Sequence, residues 1–172
     1  MNLQSTDFEL FGVPARFAQD AASLDARWKE LQRQVHPDKF ATQGAAAQRV
    51  AMQWSARINE AYRRLKDPLK RAAYLCELHG APIDAESNTA MPAEFLMQQM
   101  ELREQLDEAD TAEDLLQIEQ TSASLLQETL QRVERLADTE QDWGGAAQSV
   151  RGLMFLDKLS SDVARKRETL TA

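Results

Sequence analysis

Between Leu24 and Leu65, apolar residues recur at three- and four-residue spacing. The recurrence is broken by one stiff run, Gln32-Arg33-Gln34-Val35-His36-Pro37-Asp38-Lys39-Phe40. Pro37 disfavours helical geometry in His36 and removes a backbone donor, so a helix arriving from the N-terminal side must stop there. On that side Ser23 is a candidate N-cap for a helix carrying Leu24, Trp28, Leu31 and Val35. On the other side, after Gly44, a helix is expected with Ala47, Val50, Trp54, Ile58, Ala61 and Leu65 on one stripe. Two facing stripes predict an antiparallel helical hairpin with His36-Pro37-Asp38 in its connecting loop.

The rest of the chain also reads as helix. A short segment at Asp7-Phe8-Glu9-Leu10-Phe11 ends near Gly12 and Pro14, and Pro68 opens a short helix through Leu69, Ala72, Ala73 and Cys76. The stretch Gly80-Ala81-Pro82-Ile83-Asp84-Ala85-Glu86-Ser87-Asn88 loses periodicity and reads as a connector. Three longer helices are expected at roughly 92–109, 112–137 and 146–170, separated at Asp110-Thr111 and at Asp142-Trp143-Gly144-Gly145. The middle one carries Leu115, Ile118, Ser122, Leu125, Thr129, Val133 and Leu136 near one face, and the last carries Leu153, Leu156, Leu159, Ser160 and Val163. Three such stripes bury one another most economically as a three-helix bundle. A continuous coiled coil over 92–137 is the weaker alternative, because the acidic joint at 107–114 interrupts its pattern. The expected fold is all-α: a first domain over 1–79, a connector over 80–91 and a three-helix bundle over 92–172.

Several function classes are disfavoured. No apolar run approaches the roughly 20 residues that span a bilayer, and the N-terminus lacks a basic flank and a secretory apolar segment, so a cytoplasmic location without membrane association is expected. Cys76 is the single cysteine, which excludes an intrachain disulfide and any all-cysteine metal or cluster site. His79 is the only histidine besides His36, and no ligand cluster joins it, so no metal or cofactor is expected. The net charge of -8 is unevenly divided. Residues 1–79 carry 12 Lys/Arg against 9 Asp/Glu, or +3, and residues 80–172 carry 8 against 19, or -11. So acidic a second part argues against nonspecific nucleic-acid binding by the whole chain, and the division of charge can steer two differently charged partners while naming neither.

At about 100° per residue, Lys29, Arg33 and His36 share the side of their helix opposite Leu24, Leu31 and Val35, and Lys39 extends that basic side past the loop. On the residues alone, two readings stay open. His36 can simply end the helix while Pro37 makes the turn and Asp38 caps local amides, or the whole face can dock a protein. Catalysis is a poor third, because a histidine and an aspartate flanking a proline make no nucleophile system and no G-x-S-x-G supplies one. The helix near 94–109 shows a comparable division. Phe95, Leu102, Leu106 and Ala109 mark its buried side, Met97 and Met100 point away, and Leu96 lies between. Glu101, Glu104 and Glu108 share or border the methionine side, which makes these methionines candidate interface residues; a broad core that takes them in is the alternative. Cys76 lies on the apolar side of its short helix and reads as core.

The N-terminal part resembles a J domain, whose helical hairpin carries a His-Pro-Asp loop. The runs Asp7 to Gly12, Leu31 to Phe40, Ile58 to Pro68 and Leu69 to Leu78 are more specifically similar to the HscB family of iron-sulfur co-chaperones. In the second half Glu94 to Glu108 and Val150 to Leu159 are similar to the same family, so the resemblance covers nearly the whole chain. It implies a co-chaperone, not an enzyme, that activates the ATPase of a partner. A J domain would dock on the DnaK-type chaperone HscA and stimulate its ATP hydrolysis through His36, Pro37 and Asp38, with Lys29, Arg33 and Lys39 as electrostatic contacts. The C-terminal three-helix domain would bind the iron-sulfur scaffold IscU through Leu96, Met97, Met100, Glu101, Glu104, Glu108 and Phe155, and the cluster would belong to the scaffold. Helical phase puts Phe155 at the edge of its buried stripe, so core packing is an open alternative for it. Met100 and Met154 depart from the commonest family side chains, and the former preserves apolar character. The extra N-terminal cysteine pairs of some eukaryotic relatives are absent, so the chain resembles a bacterial-type member. Two rivals are a general J-domain co-chaperone with another client and a non-chaperone interaction module in which His36-Pro37-Asp38 is only a turn.

Overall fold

The computed structural model describes residues 2–85 and 88–171. Among them regular structure is entirely helical: α1 (Asp7–Phe11), α2 (Ala21–Val35), a 3₁₀ turn (Pro37–Phe40), α3 (Ala45–Lys66), α4 (Pro68–Leu78), α5 (Ala93–Glu108), α6 (Ala112–Glu134), a π-helical turn (Arg135–Thr139) and α7 (Trp143–Thr171). No helix is long and apolar enough to cross a membrane among the described residues. The chain divides into two compact units, Met1–Leu75 and Cys76–Ala172.

In the first unit α2 and α3 form the expected hairpin, with Leu24, Leu31, Ile58, Ala61 and Leu65 buried and Phe8, Leu10 and Phe11 of α1 completing the core. Polar side chains clamp the hairpin along its length. Trp28 Nε1 and the Gln32 amide both donate to Asn59 Oδ1, at 2.9 and 2.8 Å, and the Trp28 ring stacks on Tyr62 at 5.0 Å. Near the far end Asp25 Oδ1 accepts from Lys66 Nζ at 2.6 Å and from the Tyr62 hydroxyl at 2.5 Å. Those two bonds, Lys66 first, hold the Asp25 carboxyl below the usual carboxylate range. Two local expectations are corrected. The N-cap of α2 is Asp20, and Ser23 sits inside the first turn, donating to Asp20 Oδ2 at 2.6 Å. On α3 the buried position is Ala51, whereas Val50 is half exposed, because at about 100° per residue Val50 falls just outside the arc shared by Ala51, Ile58, Ala61 and Leu65.

Asp7 locks α1 to the hairpin. Its fully buried carboxylate accepts from Arg64 Nε and Nη2 at 2.5 and 2.9 Å and forms an ion pair with Arg57 Nη1 at 2.8 Å, while its amide donates to the Tyr74 hydroxyl at 3.0 Å. The Arg64 guanidinium also lies 4.3 Å from the centre of the Tyr74 ring. Arg71 fixes the chain entering α2 by donating to the Phe17 and Leu65 carbonyls at 2.7 and 2.6 Å.

The second unit packs α5, α6 and α7 around Leu115, Ile118, Leu125, Leu156, Leu159 and Val163, with Phe95, Leu102 and Leu106 inserted from α5. A capping box starts α6: Thr111 Oγ1 accepts from the Asp114 amide and the Asp114 carboxylate accepts from the Thr111 amide. The π turn adds residues to the last turn and shifts the buried position from the expected Leu136 to Ala137. Trp143-Gly144-Gly145, expected as a break, is instead the first turn of α7, where Asp142 Oδ1 accepts from the Gly145 amide at 3.0 Å. Ser160, expected on the α7 stripe, is exposed. In the stretch expected as a connector, Gly80 closes α4 at φ 77, and Arg151 of α7 donates to the Ile83 and Ala90 carbonyls at 3.0 and 2.9 Å. Glu86 and Ser87 of that stretch lie outside the described residues.

Two tests follow from these contacts. Asp7→Ala leaves two arginines facing a buried void and is expected to cost about 3–5 kcal/mol, read by urea denaturation with near-ultraviolet circular dichroism. Cys76 is 1% exposed and its thiol is pushed up to about 11 by burial. At pH 8 it should resist a disulfide reagent in the folded protein and react fully in denaturant.

Candidate functional site

Two surfaces stand free of the two cores. The first grows from α2, where burial of Leu24, Leu31 and Val35 turns Lys29 and Arg33 to solvent. His36 ends the helix at φ -57 and ψ 128, the extended geometry that a following proline favours, and Pro37 opens the 3₁₀ turn. Inside the turn the Asp38 amide donates to His36 Nδ1 at 3.2 Å and the Lys39 amide donates to the His36 carbonyl at 3.0 Å. Because Nδ1 accepts, the neutral imidazole carries its proton on Nε2, and the 3.6 Å approach of Nδ1 to Asp38 Oδ2 is not a hydrogen bond in that tautomer.

The cap of this turn is therefore the histidine. Asp38, expected in one reading to cap local amides, accepts no hydrogen bond from a described residue, and its side chain is 93% exposed. Lys29, Arg33 and Lys39 are exposed as well, and none forms an ion pair within 4.0 Å of a described carboxylate. The backbone of the turn is held by its own hydrogen bonds, and Lys29, Arg33 and Lys39 beside it are unpaired within 4.0 Å of a described carboxylate. Such a face suits a partner with complementary charge.

The second surface is the outer side of α5. Phe95, Leu102 and Leu106 are buried, whereas Met97 and Met100 are each 73% exposed and Leu96 is 40% exposed. Glu101, Glu104 and Glu108 are exposed on or beside the same side of the helix and form no ion pair with a described cation, and the exposure of Met97 and Met100 rules out a broad core that includes them. Phe155 departs from this group. It is 7% exposed, meets Phe95 edge to face at 6.1 Å and lies under the Arg103 guanidinium at 5.2 Å.

Sequence reasoning left three residues that position this face without a role. Arg103 Nη1 reaches Asp162 Oδ2 at 2.6 Å and ties α5 to α7. A Cβ on Gly152 would stand 3.0 Å from the Phe95 ring, so the hydrogen at Gly152 lets α5 seat on α7. Lys166 donates to the Leu106 and Asp107 carbonyls at the end of α5. Only the isolated glycine in an otherwise helical pattern could have signalled this packing. Among the described residues no group of three or more His, Cys, Asp or Glu is arranged to hold a metal.

Comparison with known proteins bears on both halves. A family model described as the HSCB C-terminal oligomerisation domain matches residues 91–164. A Burkholderia multivorans protein named co-chaperone protein HscB homolog is 49% identical over 173 residues, covering 99% of this chain and 98% of that one. A Bordetella petrii protein of the same name is 48% identical over 161 residues, covering 93% and 95%. Among solved structures, chaperone HscB from Vibrio cholerae matches with a TM-score of 0.78 at 36% identity, over 96% of this chain and 99% of that one. Human co-chaperone protein HscB matches with a TM-score of 0.89 at 27% identity, over 97% of this chain and 84% of that one.

The two kinds of α5 neighbour should separate in stability measurements. Phe155→Ala is expected to cost about 3–5 kcal/mol through the cavity left against Phe95. Met97→Ala and Met100→Ala should each stay within about 0.5 kcal/mol of the parent in the same thermal or urea titration.

Proposed function

Because the chain belongs to the HscB family of co-chaperones, we propose that it captures an IscU-like iron-sulfur scaffold and presents it to an HscA-like DnaK-type chaperone whose ATP hydrolysis it stimulates. In this reading residues 1–79 act as a J domain and residues 92–172 as the scaffold-binding bundle. Lys29, Arg33 and Lys39 steer the encounter with the chaperone by charge, and His36, Pro37 and Asp38 bias it toward its hydrolysis-competent state. The observation that carries the proposal is Asp38: its carboxylate stands in solvent on a turn capped by His36, free to accept a charged hydrogen bond from outside the chain.

Scaffold capture falls to Leu96, Met97 and Met100, whose apolar side chains adapt to a partner, with Glu101, Glu104 and Glu108 selecting a positively charged rim. Phe155 contributes from beneath, by holding Phe95 and so the pose of α5. Hydrolysis would then lock the scaffold on the chaperone and promote transfer of its cluster, which is the scaffold's cargo, to acceptor proteins. The reaction chemistry stays in the chaperone. What this chain supplies is coincidence of client and activator.

Steady-state ATPase assays of the chaperone, with and without scaffold, test this directly. Asp38→Asn is expected to reduce stimulation to the basal rate while scaffold affinity stays within about twofold. Met97→Ala combined with Met100→Ala is expected to weaken scaffold binding by about 10- to 100-fold and leave scaffold-independent stimulation intact. Stimulation that persists in Asp38→Asn would sink the J-domain assignment.

A further inference from the structure

A groove of about 350 Å³ runs between α5 and α6, beside the methionine face. Its α5 wall includes Gln98 and Glu101, its α6 wall includes Thr121, Ser124 and Glu128, and the buried Leu102 and Leu125 lie between them. Glu101 belongs to both surfaces. At about 100° per residue, Glu101 and Gln98 lie about 40° and 100° round the helix from Met97 toward α6, whereas Leu96 lies about 100° the other way. The groove therefore continues the exposed α5 face across a second helix.

Its chemistry is specific. Neither Glu101 nor Glu128 forms an ion pair within 4.0 Å of a described cation. Arg132, one turn beyond Glu128, lines an adjoining cleft of about 30 Å³ that shares Gln98, Leu125 and Glu128 with the groove, and it forms no ion pair with Glu128 within 4.0 Å. An apolar floor between two carboxylates matches the side chain of lysine or arginine, which lays its methylenes on leucine and keeps its charged head at the rim. An apolar side chain would desolvate the carboxylates without pairing them, and an anion would be repelled.

We propose that Glu128 and Glu101 form a socket for a lysine or arginine side chain of the scaffold held on the α5 face, a proposal that rests on the scaffold-binding reading above. Glu128 adds α6 to a recognition surface otherwise carried by α5, and it fixes the direction in which the client lies across the helix. Because Glu128 is exposed, its replacement leaves the packing of α6 unchanged.

Titration calorimetry with the purified scaffold and the full chain tests the socket. Glu128→Gln is expected to weaken binding about three- to tenfold and Glu128→Arg further, and the parent should lose affinity with added salt more steeply than Glu128→Gln. A Lys→Ala and Arg→Ala scan of the scaffold should contain one substitution whose effect disappears in the Glu128→Gln background. Affinities for both Glu128 variants within about twofold of the parent, or a scan with no such coupled position, overturn the socket. If Met97→Ala with Met100→Ala still weakens binding by about 10- to 100-fold in that case, the scaffold reading stands alone. No binding by the parent overturns both.

Discussion

A helix in a small bundle can bury only one stripe of its circumference, and both candidate functional faces follow from that limit. On α2 the buried positions are Leu24, Leu31 and Val35, which leaves Lys29 and Arg33 with nothing to pack against inside the chain. On α5 the buried positions are Phe95, Leu102 and Leu106, and the opposite side carries two methionines at 73% exposure among glutamates. Core formation does not merely tolerate these faces. It creates them, because the same periodicity that points leucine inward points its neighbours out.

Free faces become recognition surfaces only when their backbones are held. In the first unit this falls to charged clamps: the buried Asp7 joins two arginines of α3 to the end of α1, and the partly exposed Asp25 joins Lys66 and Tyr62 across the hairpin. Replacing such groups with apolar ones of equal size need not destabilise a protein, but removing one partner alone does, so they act as locks on geometry more than as sources of stability. In the second unit the holding contacts are mostly steric and aromatic. Gly152 admits the Phe95 ring, Phe155 meets that ring edge-on, and Arg103 covers Phe155 while reaching Asp162. Phe155 thus sets the pose of α5 while exposing little surface of its own.

Much of this was legible without coordinates. The hairpin, its His36-Pro37-Asp38 turn, the all-helical second half and the outward direction of Met97 and Met100 all follow from periodicity and proline geometry, which act locally. The errors cluster where an element end or a change of helical pitch decides the answer. Asp20 and Ser23 are both good caps three residues apart, and only the path of the incoming chain selects Asp20. Gly144 and Gly145 read as a break, yet Asp142 caps them into the first turn of α7. The π turn after α6 moved the inward position by one residue, from Leu136 to Ala137.

By itself the amino-acid sequence determined which residues could share a face, because helical phase depends on spacing alone and Pro37 ends a helix wherever the rest of the chain goes. The tertiary structure decided what each face meets. Whether His36 or Asp38 caps the turn, whether Phe155 lies in the core or on the surface, and whether α5 and α6 part to open a groove beside Glu128 depend on contacts between residues distant in the chain. Those contacts are set by how several stripes share one core, a many-body packing problem that no single helix encodes.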